Sequence, residues 1–268
     1  MHRKTDWSEN RKDDKGEMSF SGMVKEELSR QIGLARHCKM AELAAILCSC
    51  GKMECFSGDS KLKIQTENEA VARKSFTLLR KTFNIETAIV IREGSHLKRG
   101  RVYLVEVTDP ARAEEVLQGT KLSMDNKTGL LEMDNSLVVQ MSCCKRAFIR
   151  GTFLSSGSIS DPEKGYHFEI VCTAEAKARQ LQDIIKTFGM EAKIVMRKKY
   201  YVVYIKEGSQ IADILKVMDA PVSLMELENI RILKEMRGSV NRQVNCETAN
   251  INKTVSAAVK QIEDIIYI

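Results

Sequence analysis

Apolar residues return every three or four positions over some stretches of the chain and at every second position over others, and these two periods outline its elements. Behind Ser21, a suitable helix N-cap, Met23, Val24, Leu28 and Ile32 recur at helical spacing, so a short amphipathic helix is expected within residues 18–36. Residues 38–50 are again helical. Alternating residues at 52–56 and 61–66 predict a hairpin through Gly58 and Asp59, and residues 69–83 predict a helix with Val71, Phe76, Leu78 and Leu79 on or near one face. The β-rich runs AIVIRE and RVYLVEV flank a loop over 94–100, and Pro110 opens a further helix. The order is αββαββα.

The same unit occurs twice. Laying CKMAELAAILCSCGKM over CKRAFIRGTFLSSGSI, an offset of 106, brings Cys38 and Lys39 onto Cys144 and Lys145, Leu47 onto Phe153 and Gly51 onto Gly157. Leu62 and Ile64 then meet Phe168 and Ile170, and after a slip of one residue Ile89 to Arg92 meet Ile194 to Arg197. In the second unit strands are expected near 166–172, 191–197 and 200–205, and helices near 174–188 and 207–218. Paired sheets covered by helices make an α+β protein. The repeats are placed at 37–120 and 143–220, within a double-repeat body spanning 37–220.

After the repeats VSLMELENIRILKEMRG is helical, with Gly238 as its expected stop. A polar passage, SVNRQVNCETANINKT, leads to a last amphipathic helix bearing Val255, Val259, Ile262 and Ile266 on one face. Residues 221–268 are therefore read as a helical connector. Residues 1–17 carry five basic and five acidic side chains without apolar periodicity, and are expected to be a disordered extension.

Composition narrows the functional classes only a little. The chain has 268 residues and a net charge of +6, compatible with nucleic acid without requiring it. No apolar run approaches the ~18 residues of a membrane helix, and the charged start does not suit a signal peptide. Eight cysteines are too sparse for a disulfide scaffold and are expected as reduced thiols in the cytoplasm. Cys38, Cys48, Cys50 and Cys55 lack the paired C-x2-C knuckles of zinc sites, and positions 48 and 50 point about 200° apart on a helix. Packing is the better reading for these thiols and for the vicinal Cys143 and Cys144. His2, His37, His96 and His167 have no context that orients a catalytic base. No metal and no cofactor are expected.

LAAILCSCG and IRGTFLSSG resemble the helix motif of the LAGLIDADG homing endonucleases, whose αββαββα unit, doubled in one chain, packs its two motif helices side by side. Small residues, here Ala44, Ala45, Ser49 and Gly51 against Gly151, Ser155 and Gly157, allow such helices to approach closely. The resemblance implies a metal-binding acid before each final glycine, but those positions hold Cys50 and Ser156. A thiol and a hydroxyl do not replace the carboxylates that Mg²⁺ requires, so no catalytic residue is expected.

From Met18 onward the degenerate repeat, together with NIRILKEMRGSVNR and VNCETANINKT, resembles the WhiA family of bacterial regulators, of which Val244 to Thr254 is the most specific signature. The resemblance implies a non-catalytic, DNA-binding transcriptional regulator in cell division, chromosome segregation and sporulation, cytoplasmic and nucleoid-associated. Residues 1–17 are extra relative to the family's usual start. The family's helix-turn-helix domain follows the final helix, and it is expected to be absent here because the sequence stops first.

Two groups of residues are candidates for contact with duplex DNA. Arg92, Lys98, Arg99 and Arg101 match Arg197, Lys198 and Lys199 on equivalent hairpins, where they either straddle a phosphate backbone or solvate turns. Arg237, Asn241, Arg242, Asn245, Asn250 and Lys253 either cap helix ends or touch phosphates. The expected assembly is a monomer whose symmetry is internal, with protein partners in division or transcription and no membrane contact. The rival classes are a protein-interaction scaffold without DNA binding and, less favoured, an active Mg²⁺-dependent endonuclease.

Overall fold

The computed structural model describes residues 18–56, 59–93, 100–125, 128–133 and 136–267. The expected extension 1–17 lies outside the described residues, as do Gly58 and the loop residues 94–99. The chain begins with α1 (Phe20–Arg30), capped by the Ser19 hydroxyl, which accepts from the Gly22 N–H. The first unit then runs α2 (Arg36–Cys50), β1 (Gly51–Phe56), β2 (Asp59–Thr66), α3 (Glu69–Phe83), β3 (Ala88–Glu93), β4 (Arg101–Val107) and α4 (Pro110–Thr120). The second repeats this order as α5 (Ser142–Ser156), β7 (Gly157–Ile159), β8 (Phe168–Cys172), α6 (Glu175–Lys186), β9 (Lys193–Arg197), β10 (Tyr200–Ile205) and α7 (Gly208–Met218).

Each unit builds one antiparallel four-stranded sheet, β1-β2-β4-β3 in the first and β7-β8-β10-β9 in the second. The common strand order is the tertiary form of the sequence repeat. Alternation assigns the faces: Leu62 and Ile64 of β2, like Phe168 and Ile170 of β8, are buried under the helices, while their neighbours turn outward. α2 and α5 are buried through their middle turns, residues 41–47 and 147–154, and pack side by side at the centre.

The periodicity gave no sign of the segment between the units. It holds a two-stranded sheet of β5 (Leu122–Met124) and β6 (Leu131–Met133), then a 3-10 turn (Ser136–Val139). Gly129 anchors the small sheet to β1: its φ is +70°, its carbonyl accepts from the Met53 N–H at 2.9 Å, and a Cβ there would stand 2.4 Å from Met53 O. Only glycine fits both demands.

The C-terminal reading needs correction. Gly238 does not stop a helix, and no polar passage separates two: α8 runs unbroken over Pro221–Tyr267. Without an interior proline no residue forbids helical backbone, and the cost of one glycine and a few asparagines, up to about 1 kcal/mol each, is small beside the cooperative propagation of a long helix. The asparagines in this passage therefore lie inside the helix and cap nothing. Glu27 of α1 fixes the start of α8, accepting from the Val222 and Ser223 N–H groups at 2.8 and 2.9 Å and from the Ser223 hydroxyl at 2.6 Å. Leu227 is buried in the core with Leu224 packed beside it, and from residue 239 onward the helix is exposed. Among the described residues no helix is long and apolar enough to cross a membrane.

Candidate nucleic-acid interface

The central helix pair decides what the degenerate motif does. A Cβ on Gly151 would lie 2.4 Å from Glu42 O and 2.9 Å from Ala45 Cβ, so α5 touches the backbone of α2 at that point. Ala44 and Ala45 are buried beside it. Gly51 and Gly157 act differently from Gly151. Their nearest neighbours are Leu47 O at 2.5 Å and Phe153 Cδ2 at 2.3 Å, so they let the chain turn from each helix into its own first strand. Ser49 and Ser155 bond back to Ala45 O and Gly151 O.

The pair is also held by a buried ionic network that no sequence pattern announces. Glu42 of α2, fully buried, accepts from Arg150 Nε at 2.9 Å, Arg150 Nη2 at 3.1 Å and Lys74 Nζ at 2.8 Å. Arg150 also donates to Met218 O and Asp219, and Lys74 donates to Leu28 O and Gln31 O. Burial pulls Lys74 below the ordinary lysine value, and Glu42 opposes that shift. One carboxylate thus ties α2 to α3 and α5 across the repeat.

At the other end of the helices stand Cys50 and Ser156, the positions at which the motif resemblance implies acids. The Cys50 thiol donates to Ile46 O and the Ser156 hydroxyl to Thr152 O, each at 3.2 Å. Burial pushes Cys50 up to about 12 and Cys48 up to about 11, so both stay protonated at neutral pH. The charge that Cys50 feels from the side is the Lys25 ammonium, which repels a dication. The donors needed to hold Mg²⁺ are thus replaced by a thiol, a hydroxyl and a cation. Cys38 lies near the opposite end of α2 from Cys48 and Cys50, so the four-cysteine spacing weighed from the sequence does not converge; the side chain of Cys55 lies outside the described residues.

Strand register separates the hairpin candidates. Arg92 pairs with Val102 and shares the outer sheet face with Lys52, Lys61 and Lys63, whereas Arg101 pairs with Glu93 on the opposite face. Arg197 is the outer-face counterpart of Arg92, but Glu169 holds it at 2.9 Å. Lys63 is likewise held by Glu54 at 2.5 Å and faces Glu106 at 3.6 Å. Lys198 occupies the β9–β10 turn at φ +55°, Lys199 lies over the Tyr200 ring, and Lys98 and Arg99 are outside the described residues. The outer faces are therefore charge-mixed.

Arg237, Asn241, Arg242, Asn245, Asn250 and Lys253 are all exposed on α8. At 100° per residue they wind around most of the helix, with Arg242 and Lys253 falling within about 20° of each other on one side. The opposite side carries an apolar stripe through Val240, Val244, Ile251, Val255, Val259 and Ile262, all exposed. A stripe of this width on a helix belongs against a partner surface.

Comparison with known proteins fixes the family. Residues 36–123 match the family model for the WhiA N-terminal LAGLIDADG-like domain, and residues 145–237 match that for the WhiA LAGLIDADG-like domain. A protein of Lachnoclostridium phytofermentans named "Probable cell division protein WhiA" is 57% identical over 254 residues, covering 94% of this chain and 81% of that one. The chain belongs to the WhiA family. A second member, from Alkaliphilus oremlandii and of the same name, is 45% identical over 259 residues, covering 94% and 80% of the two chains.

The crystal structure of full-length DUF199/WhiA from Thermatoga maritima shares the WhiA fold with this chain at a TM-score of 0.67 and 23% identity, over 91% of this chain and 76% of that one. A mesophilic variant of the homing endonuclease I-DmoI shares the double-repeat fold at a TM-score of 0.50 and 14% identity, over 69% of this chain and 97% of that one. One expectation is overturned: residues 240–268 match the family model for the WhiA C-terminal HTH domain. The helix-turn-helix domain is thus represented in the chain, and the part of α8 from residue 240 onward, read as connector from the sequence, belongs to that match.

Proposed function

We propose that this WhiA-family protein is a non-catalytic DNA-binding regulator of bacterial cell division, acting in the cytoplasm at the nucleoid. The observation that carries the reading is the match of residues 240–268 to the family's HTH domain, on a helix whose polar side is free for phosphates and whose apolar stripe is free for packing. Relatives named as cell division proteins supply the process. Roles in transcription, chromosome segregation and sporulation belong to the same proposal. The double repeat is a rigid platform that holds α8 through Glu27, and the exchange of acids for Cys50 and Ser156 supports a body without cleavage chemistry.

The test is binding of the full chain to labelled duplex DNA, followed by fluorescence anisotropy from about 50 to 200 mM salt. The logarithm of the affinity is expected to fall linearly with the logarithm of salt concentration. Lys253→Ala and Arg242→Ala are each expected to lower that slope by about one. Arg197→Ala is expected to change it less, because Glu169 already neutralises that guanidinium. No binding at the lowest salt, or cleavage of the duplex in Mg²⁺, overturns the reading.

A further inference from the structure

The first turns of the two motif helices bring together four side chains with metal-ligand chemistry. His37 and Cys38 open α2, Cys143 and Cys144 open α5, and the repeat offset of 106 lays His37 over Cys143 and Cys38 over Cys144. Helix packing turns these two dipeptides into one cluster. His37 Nδ1 lies 3.1 Å from Cys144 Sγ and 3.4 Å from Cys38 Sγ, and one ligand atom from each of the four residues lies within 4.8 Å of the others. All three cysteines are free thiols. In tetrahedral zinc sites, with Zn–S near 2.3 Å and Zn–N near 2.0 Å, adjacent ligand atoms stand about 3.5–3.8 Å apart. Side-chain shifts of about 1 Å therefore close this set onto one ion.

We propose that His37, Cys38, Cys143 and Cys144 form a structural Cys3His zinc site that staples the two repeats together at the start of their motif helices. The helix termini supply an independent reason. Neither Ala35 nor Met141 gives a side-chain cap, and neither helix has an acid in its first turn, so two positive helix ends meet without a counter-charge. Three thiolates and a neutral imidazole around Zn²⁺ carry a net charge of about −1, the sign these ends favour. Arg36, Lys39 and Lys145 occupy the same first turns, with Arg146 next in α5, and favour it too.

Sulfur and imidazole donors select zinc over Mg²⁺ or Ca²⁺. Loading releases the three thiol protons to solvent and changes no oxidation state. Access is available on one side: Cys143 is exposed, and a cavity of ≈210 Å³ lined in part by His37, Met40, Met141 and Cys144 opens there. On the inner side Ala41 and Ala147 pack against Cys38 and Cys144, keeping water from those two ligands.

Zinc is measured by plasma mass spectrometry on full chain purified under reducing conditions without chelator. About one zinc per chain is expected. Cobalt added to the metal-free chain should give the intense visible bands and sulfur-to-metal charge transfer of a tetrahedral thiolate site. Cys143→Ser, an exposed change that leaves a hydroxyl at a helix start, should retain the circular dichroism of the parent yet lose more than the about 10–100-fold in zinc affinity that an outer-shell partner costs. Cys246→Ser, on the exposed α8, should bind as the parent does. Zinc well below stoichiometry with no cobalt spectrum, parental affinity in Cys143→Ser, or a disulfide among these cysteines in place of metal overturns the proposal.

Discussion

Replacing Glu42 by glutamine removes one charge and almost no volume, and it does so where two cations depend on that charge. Glu42 and Lys74 are fully buried and Arg150 is 4% exposed, with donor distances of 2.8, 2.9 and 3.1 Å to the Glu42 carboxylate. At an effective dielectric near 20 each ion pair is worth about 4 kcal/mol at about 4 Å. Desolvating the glutamate consumes several kcal/mol of that gain, so the net cost of Glu42→Gln is about 3–5 kcal/mol. Against a total stability of about 5–15 kcal/mol this is a large share. Urea unfolding followed by circular dichroism is expected to show a midpoint lower by about 1–2 M with an unchanged slope. The triple change Glu42→Leu, Lys74→Met, Arg150→Met removes the whole network and is expected to sit near the parent or above it. A Glu42→Gln loss below about 1 kcal/mol refutes the electrostatic argument. So does a triple variant as unstable as the single one, because the loss would then come from packing.

The same network makes stability depend on pH. Burial holds Lys74 below its ordinary value of 10.5, so the unfolded chain binds more protons between the two values and stability rises with pH across that window. Without Glu42 to raise the folded value, Glu42→Gln is expected to widen the window toward neutral pH, read from urea midpoints measured across alkaline pH. Gly151→Ala places a methyl against Glu42 O and is expected to cost about 1–3 kcal/mol, lowering the thermal midpoint by several degrees. Gly238→Ala is expected to do the reverse, since its Cβ meets only Arg242 Nη1 at 3.5 Å inside α8, and should stabilise the helix by about 0.5–1 kcal/mol in a thermal melt.

The candidate site was legible in parts. That no acid stands before Gly51 and Gly157 could be read from Cys50 and Ser156, because the motif fixes their place. The division of Arg92 from Arg101 could not, because it depends on which residues of β3 and β4 pair, and Glu93 opposite Arg101 is a fact of register. The unbroken α8 was missed for another reason. Glycine and asparagine are only weak stop signals, and helix cooperativity outweighed them.

The sequence by itself determined the αββαββα order of the first repeat and its duplication, since apolar periodicity is a property of neighbours and the same neighbours recur in both units. It also determined that a thiol and a hydroxyl, not carboxylates, precede Gly51 and Gly157. Only tertiary structure decided which distant residues meet. Glu42 finds Arg150 and His37 finds Cys144 more than a hundred positions away, because a glycine at 151 lets two helices lie backbone to backbone. No local pattern encodes that geometry. It arises from the packing of one repeat on the other, which converts residues at equivalent positions in sequence into neighbours across an axis.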